Sequence, residues 1–525
     1  MKLVRFFLFM LIFITGCVKN DEFQIITADG NPVSAEVFDP TKKVVFGNKI
    51  ENPYSIENML IAFNSLPAET RGGVSADDLI KTTHKYLKFT LCNDEQYNAI
   101  CRDTSIILSY YPLDLEIVSS GYYEDEGSED DTRIRYTSVP IEKMDFINSC
   151  GVEYETLADM FMPDEDGYES NGFITKSGTT FSAQQINMLV DKSIILTGNE
   201  SWLSGQEGAT KANVIPSGTI KVDAGANAVV PGVIGLQGVK IKATRLLKVS
   251  DGTTNASGYF VCNKSFSNDW NYELNFDCYD FEINDGKSGN FCYIYKKTMS
   301  SWNLTIPSTA GKGYYIATIF RAAHHYYYED ILGLRRPPQN SFWKTKMRIA
   351  ARYEENSSNG TTSMIRRFLG LGNAVHIFNP NREIESIYST VIHELAHTSH
   401  WNLAKSDYNR TDFETSRVVE SWAVGVSDAL TKLKYPRYRG RYYGSNDQAY
   451  TRVVTDMIDT DADAYNNYGR NSMNGDNVTG YTLRQIEDCL PGARTFDKWR
   501  DNIYNKYPYN VTRNYLQTLF SSWYR

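Results

Sequence analysis

Apolar residues between Ser55 and Leu66 fall at Ile56, Met59, Leu60 and Phe63, the spacing of one helix face. Ser55 stands where an N-cap belongs. Tyr86, Phe89 and Leu91 lie in a β-prone run, and Ile106 to Tyr111 reads as a further strand. Residues 160 to 225 are polar and rich in Gly, Ser, Thr and Asn. Only Ala183 to Asp191 keeps a helical rhythm there, and the rest reads as loops leading to a domain boundary. From 228 to 296 the period shortens. Val233, Val239, Ile241 and Ala243 open a series of short strands that continues through Tyr272, Leu274 and Phe276 to Phe281. Beyond 305 helical spacing returns. Gly311 to Tyr328 begins β-prone and turns helical, and Val375 to Phe378 is a short strand candidate. Asn379-Pro380 is expected to cap and open a helix. That helix carries Ile384, Ile387, Tyr388, Val391, Ile392 and Leu395 at helical intervals. A second helix is expected from Ser416 to Lys434, stopped by Pro436. The pattern predicts a multidomain α+β protein. Its pieces are an N-terminal α+β region over 46–225, a central all-β piece over 228–300 and a mostly helical region over 305–525.

The length of 525 residues agrees, since one hydrophobic core rarely organises so long a chain. The net charge of -9, with no long basic run beyond the first residues, makes nucleic acid an unexpected partner. The N-terminus adds more. Lys2 and Arg5 precede an apolar stretch, Phe6 to Ile14, that is too short to span a bilayer. Ile14-Thr15-Gly16-Cys17 follows and resembles the lipobox of bacterial lipoproteins. The resemblance implies a signal peptide over 1–16, acylation of Cys17 and a lipidated tether over 17–45. Lys19, Asp21 and Glu22 resemble the export signal of Bacteroides-like surface lipoproteins. Together they imply an exported protein of the outer membrane and cell surface, held to the membrane through Cys17. Seven further cysteines have irregular spacing and no C-x-x-C, which argues against a structural zinc knuckle. Cys92 and Cys101 flank a short segment and are candidates to pair; the others suit buried positions.

The chemistry concentrates in His393-Glu394-Leu395-Ala396-His397. Two histidines four apart on a helix project from one face and can reach one zinc ion. Glu394 is turned by about 100° from His393, so it can stand beside the metal without binding it. There it would take the proton of a zinc-bound water. A catalytic zinc needs a third protein ligand. His400 is one turn beyond His397, but about 10 Å of helix rise separates it from His393. Packing suits it better. The H-E-x-x-H-x-x-G-x-x-H pattern fails, with His400 at the glycine position and Leu403 at the last histidine. Glu420 lies on the following helix beside Val419, Ala423, Val426 and Leu430. A carboxylate against that apolar face needs a cation. Asp428, two turns on, suits holding a ligand histidine by its other nitrogen.

An H-E-x-x-H helix followed by a Glu-bearing helix resembles the gluzincin branch of zinc metallopeptidases. The resemblance implies His393, His397 and Glu420 as Zn2+ ligands, Glu394 as general base and a zincin-like catalytic domain over 305–525. One position departs: thermolysin-like members carry Asp four residues after the ligand Glu, and Val424 stands there. The segments Leu236 to Ala243 and Thr254 to Phe260 resemble the carboxypeptidase-regulatory-like, transthyretin-like β-sandwich, with Asn255 at its usual Asp. That implies an accessory sandwich over 228–300. Hydrolysis also needs an oxyanion donor. Tyr442 and Tyr443 rank first, because Gly440 and Gly444 bracket them; Tyr435, Tyr438, Tyr450 and Tyr326 to Tyr328 are further choices. Val375 to Phe378 could be an edge strand that pairs an extended substrate; His376 in it could face the cleft, but a structural, hydrogen-bonded role suits it better. The expected activity is hydrolysis of extracellular proteins, glycoproteins or peptides. The rival readings are a non-catalytic adhesin or glycan- or protein-binding lipoprotein on the same scaffold, and a hydrolase of a non-peptide amide.

Overall fold

The computed structural model describes residues 38–523 except 126–131, 164–172, 175–177, 179, 204–212, 286–288, 342–345, 357–359, 364–373, 409–411, 441–447 and 460–476. It is mixed α+β. Strands are numbered in chain order, and α labels are given to helices of ten or more residues. The N-terminal part holds β1 (Val45–Lys49), α1 (Ile56–Ser65), β2 (His84–Leu91), β3 (Leu115–Ser119), β4 (Gly121–Glu124), β5 (Arg133–Pro140) and β6 (Glu153–Met160). It ends with the hairpin β7 (Phe173–Ile174) and β8 (Thr180–Phe181), then α2 (Ala183–Leu196). As the sequence predicts, Ser55 caps α1, its side chain accepting from Asn58 N at 3.2 Å. Ser182 and Gln185 form a capping box at the start of α2. Met59 and Phe63 of α1 pack against Ile186, Leu189 and Ile194 of α2 over the antiparallel sheet β5-β2-β6.

Ile106 to Tyr111 is not a strand. Ser109 alone bridges to Tyr136. The residues around it are drawn into three separate cores: Ile106 and Leu108 into one, Ile107 into another, Tyr110 and Tyr111 into a third. Tertiary burial overrides the local β preference. Cys92 and Cys101 are free thiols, and the segment between them is a helix from Asp94 to Cys101.

The middle of the chain holds β9 (Ser217–Asp223), β10 (Val233–Gly235), β11 (Lys240–Arg245), β12 (Lys248–Thr253), β13 (Tyr259–Val261) and β14 (Trp270–Asn275). β15 (Phe281–Asn284), β16 (Phe291–Thr298) and β17 (Trp302–Ile306) follow. One sheet centres on β9, with β10 and β13 along one edge and β17 parallel on the other. The second runs β12-β11-β14-β16-β4. The two face each other across aromatic rings: Tyr272 is 5.8 Å from Phe260 and 5.6 Å from Trp302, and Tyr295 lies 6.0 Å from Trp302. These sheets cross the borders expected at 225 and 300. β4 comes from the N-terminal part, and β9 and β17 lie outside 228–300.

The last part holds α3 (Lys312–Tyr328), β18 (Met347–Ala351), β19 (Gly360–Thr362), β20 (Val375–Ile377), α4 (Ile384–Ala404), α5 (Phe413–Lys434) and α6 (Phe496–Lys506). α3 is helical from Lys312 onward, without the β-prone start its sequence suggests. Its aromatic run is buried on nearly every side, and a side chain at Gly313 would run into the Tyr293 hydroxyl of β16. The sheet order is β15-β18-β20-β19. The first three strands are parallel and β19 is antiparallel. β20 is therefore an inner strand; β19 is the edge. Residues Asp39 to Arg525 form one unit. No helix among the described residues is long and apolar enough to cross a membrane.

α3 and α4 are joined by His325. Its Nε2–H donates to the Asp330 carbonyl at 3.0 Å, and Nδ1 accepts from the Tyr388 hydroxyl at 2.9 Å. The second bond needs the neutral ring, because a protonated Nδ1 has no lone pair to accept with. Burial, opposed in part by Glu329, pushes its pKa down to about 4. The unfolded chain takes up this proton near pH 6.5, the folded chain only near 4. The contribution to stability is thus complete above pH 6.5 and is lost as pH falls toward 4. It amounts to on the order of 3 kcal/mol. Urea unfolding at steps between pH 7 and 4 is expected to show a loss that shrinks by about this amount in His325→Gln. An unchanged slope would exclude the tie.

Candidate metal centre

α4 begins four residues later than Asn379-Pro380 suggests. Its N-cap is Glu383. Asn379 is held at φ 57°, a left-handed conformation that Asn tolerates and that helix capping does not use. Arg382 fixes this turn, donating from Nε to Asn379 O at 3.1 Å, from Nη2 to Phe378 O at 3.2 Å and from Nη1 to Thr390 Oγ1 at 2.9 Å. The last bond anchors the turn to the helix it precedes.

From there α4 runs unbroken through the motif, with Ile387, Val391, Ile392 and Leu395 buried. α5 packs against it, beginning at Phe413 with Asp412 as its cap and ending at Lys434, just before Pro436. The two helices bring three ligand atoms together. His393 Nε2 and His397 Nε2 are 3.1 Å apart, and each is 3.2 Å from Glu420 Oε2. Among the described residues these three are the group of His, Cys, Asp and Glu that could hold a metal ion. The size fits. A tetrahedral ion with ligands at 2.0–2.1 Å sets its donor atoms about 3.3 Å apart. The donor set fits as well: two imidazole nitrogens and one carboxylate oxygen, all of them ligand atoms for a divalent metal, converge on one point.

Burial grades across the site. The side chain of His397 is 0% exposed, Glu420 3% and His393 12%, so His393 marks the open side. Burial alone would raise the Glu420 carboxyl, but the imidazoles of His397 and His393 outweigh it and hold the group well below the usual carboxylate range. Tyr450 stacks on His393, with ring centroids 6.2 Å apart and planes 23° from parallel.

Glu394 stands outside the triad. Its Oε2 accepts from Thr362 Oγ1 at 2.6 Å, and the same hydroxyl lies 3.1 Å from the Glu394 carbonyl. Thr362 belongs to the edge strand β19. Two residues earlier, a Cβ on Gly360 would come within 2.6 Å of Glu394 Oε1. Glycine there gives the carboxylate its room. Neither residue was a sequence candidate. The one signal was a Gly-Thr-Thr triplet after Asn359, a turn followed by two β-branched residues.

The other candidates separate. His400 is outside the triad, as helix rise requires. It is buried edge-on against Tyr408 at 5.1 Å, and burial, with the neighbouring His397, pushes it down to about 3. Asp428 does not hold a ligand histidine; it faces Arg452 at 3.8 Å. Arg452 also donates to Arg439 O at 3.0 Å and closes against Gly440, pinning the chain after α5. His376 lies on the inner strand β20, where its Nδ1 accepts from Arg352 Nε at 3.2 Å. Tyr435 and Tyr438 are buried, and Tyr326 and Tyr327 are buried within α3. Among the described tyrosines weighed as oxyanion donors, Tyr450 is the one brought to the triad. Tyr442, Tyr443 and Cys17 lie outside the described residues. Compared with protein-family models, curated proteins and solved structures, this chain matches none of them.

Proposed function

We propose that this chain is a zinc-dependent peptidase, exported and tethered to the outer membrane through Cys17, acting on extracellular proteins, glycoproteins or peptides. One observation carries the reading: a metal-sized triangle of His393, His397 and Glu420 with the Glu394 carboxylate beside it, off the triangle and held by an edge strand. The two-histidine, one-carboxylate set suits zinc in a hydrolytic site with an open position. When bound, zinc supplies Lewis acidity, acidifying water and polarising a carbonyl. Glu394 then receives the proton of the attacking water and returns it to the leaving amine. Thr362 fixes which way that carboxylate points. The outer rim of β19, which has no strand partner among the described residues, offers main-chain groups to an extended polypeptide. Tyr450 is the candidate to donate to the oxyanion. In this reading the two facing sheets of the middle part are the accessory, carboxypeptidase-regulatory-like sandwich.

Metal removal tests it. Dialysis against a chelator is expected to abolish cleavage of an unfolded protein substrate, and zinc added one-to-one to restore it. Cleavage unaffected by chelation contradicts the peptidase reading. Stoichiometric zinc without cleavage of any protein or peptide favours the binding lipoprotein.

A further inference from the structure

A cavity of about 300 Å³ opens between β1, β3, the turn after α2, and strands β14 and β16. It shares no residue with the metal centre. Asn271 lines it and is only 6% exposed. The pairing of β14 with β16 slips between Trp270 and Tyr272: Asn271 faces two residues of β16, Lys296 and Lys297, so the extra residue lies on the strand that brings Lys297 to the cavity. A bulge re-aims a side chain, and bulges gather at binding sites. The Asn271 amide makes no hydrogen bond among the described residues. The amide is not sealed from solvent, so a ligand in the cavity would take the place of water on it. Asn199, also 6% exposed, donates from Nδ2 to Glu51 O at 2.9 Å and to Thr197 Oγ1 at 2.8 Å. Among the described residues nothing donates to its Oδ1.

The rest of the wall narrows the ligand. Lys49 and Lys297 are balanced by Glu51 and Glu116, so the cavity has no net charge with which to choose an ion. Lys49 is already engaged by Asp114 at 3.2 Å, and Lys297 donates to Ser201 O at 2.6 Å while lying over the Trp202 ring. Ile50, Ile117 and Trp202 supply apolar surface. A fitting ligand is neutral, offers groups that donate and accept at once, and carries them on a carbon frame. We propose that this cavity binds a neutral sugar ring, with Asn271 and Asn199 completing their hydrogen bonds to its hydroxyls.

Saturation-transfer NMR on the whole protein tests this with glucose, galactose and N-acetylglucosamine, and with disaccharides that end in each. At least one sugar is expected to bind saturably in the millimolar range. Tighter binding of its disaccharide would mark a glycan end, rather than a free sugar, as the source. Asn271→Ala is expected to weaken binding about tenfold with zinc content unchanged. Asn48→Ala, at an exposed rim position, should weaken it several-fold and decides the matter if the first variant does not fold. No saturable sugar overturns the proposal. So does equal affinity in the folded variants, or displacement of the sugar by a zwitterion such as glutamine.

Discussion

Glu394→Gln is expected to retain zinc in one-to-one ratio and to hydrolyse peptides about 10²- to 10⁴-fold more slowly than the native chain. The two halves of this result have separate structural causes. Zinc is retained because none of the three converging atoms belongs to Glu394. The fold is retained because Gln has the same shape, and its carbonyl still accepts from Thr362 Oγ1 in the place the carboxylate occupies. Activity falls because an amide cannot take up the proton that the carboxylate receives. Steady-state kinetics on a quenched-fluorescence peptide, with zinc content of the same sample, measures both. Native rates in the variant exclude Glu394 as the base. Loss of zinc together with activity would instead mean that the side chain helps to build the triangle.

The largest expected loss of stability lies away from the metal. Glu282 on β15 stands opposite Arg348 on β18 in the parallel register, with Arg348 Nε 3.1 Å from Glu282 Oε1. Arg133 on β5 approaches the same oxygen to 3.8 Å. Exposure is 5% for Glu282, 2% for Arg348 and 3% for Arg133. Burial by itself would raise the Glu282 carboxyl, but Arg133 and Arg348 pull it below its ordinary value. Glu282→Ala leaves two buried guanidinium groups facing a gap, a change that costs about 3–5 kcal/mol. Urea unfolding at neutral pH reads this directly. Replacing Arg348 by Met in the same chain should recover part of the loss, because one of the two charges that Glu282 offset then goes too. A Glu282→Ala protein as stable as the native one would show that solvent or other groups already screen this cluster.

What was legible in the sequence was what local periodicity encodes. His393 and His397 share a face because helix geometry places every fourth residue so. Glu420 could be named because a carboxylate on an otherwise apolar helix face needs a reason. Helix rise was enough to set His400 aside. Pairing between distant segments was not legible. Nothing near Gly121 says that β4 will finish a sheet with β16, and nothing near Phe281 says that β15 will run beside β18. Thr362 was missed for the same reason: its role depends on a strand of three residues meeting a helix that starts more than twenty residues later. The Asn379-Pro380 start failed more locally. Both residue types suit a helix opening, but Arg382 holds Asn379 O and Phe378 O in a left-handed turn that delays it.

The stitching of β15 to β18 bears on how the molecule can be divided. A fragment starting at residue 305 would keep the H-E-x-x-H helix, the Glu420 helix and the strand that holds Glu394. It would leave behind β15, and with it the cover of β18 and the Glu282 carboxylate that faces Arg348. Such a piece would expose a bare hydrophobic strand, a template for self-association. The smallest portable unit around this candidate metal centre therefore reaches back at least to β15, inside the middle sheets, so site and scaffold cannot be cut apart at residue 305.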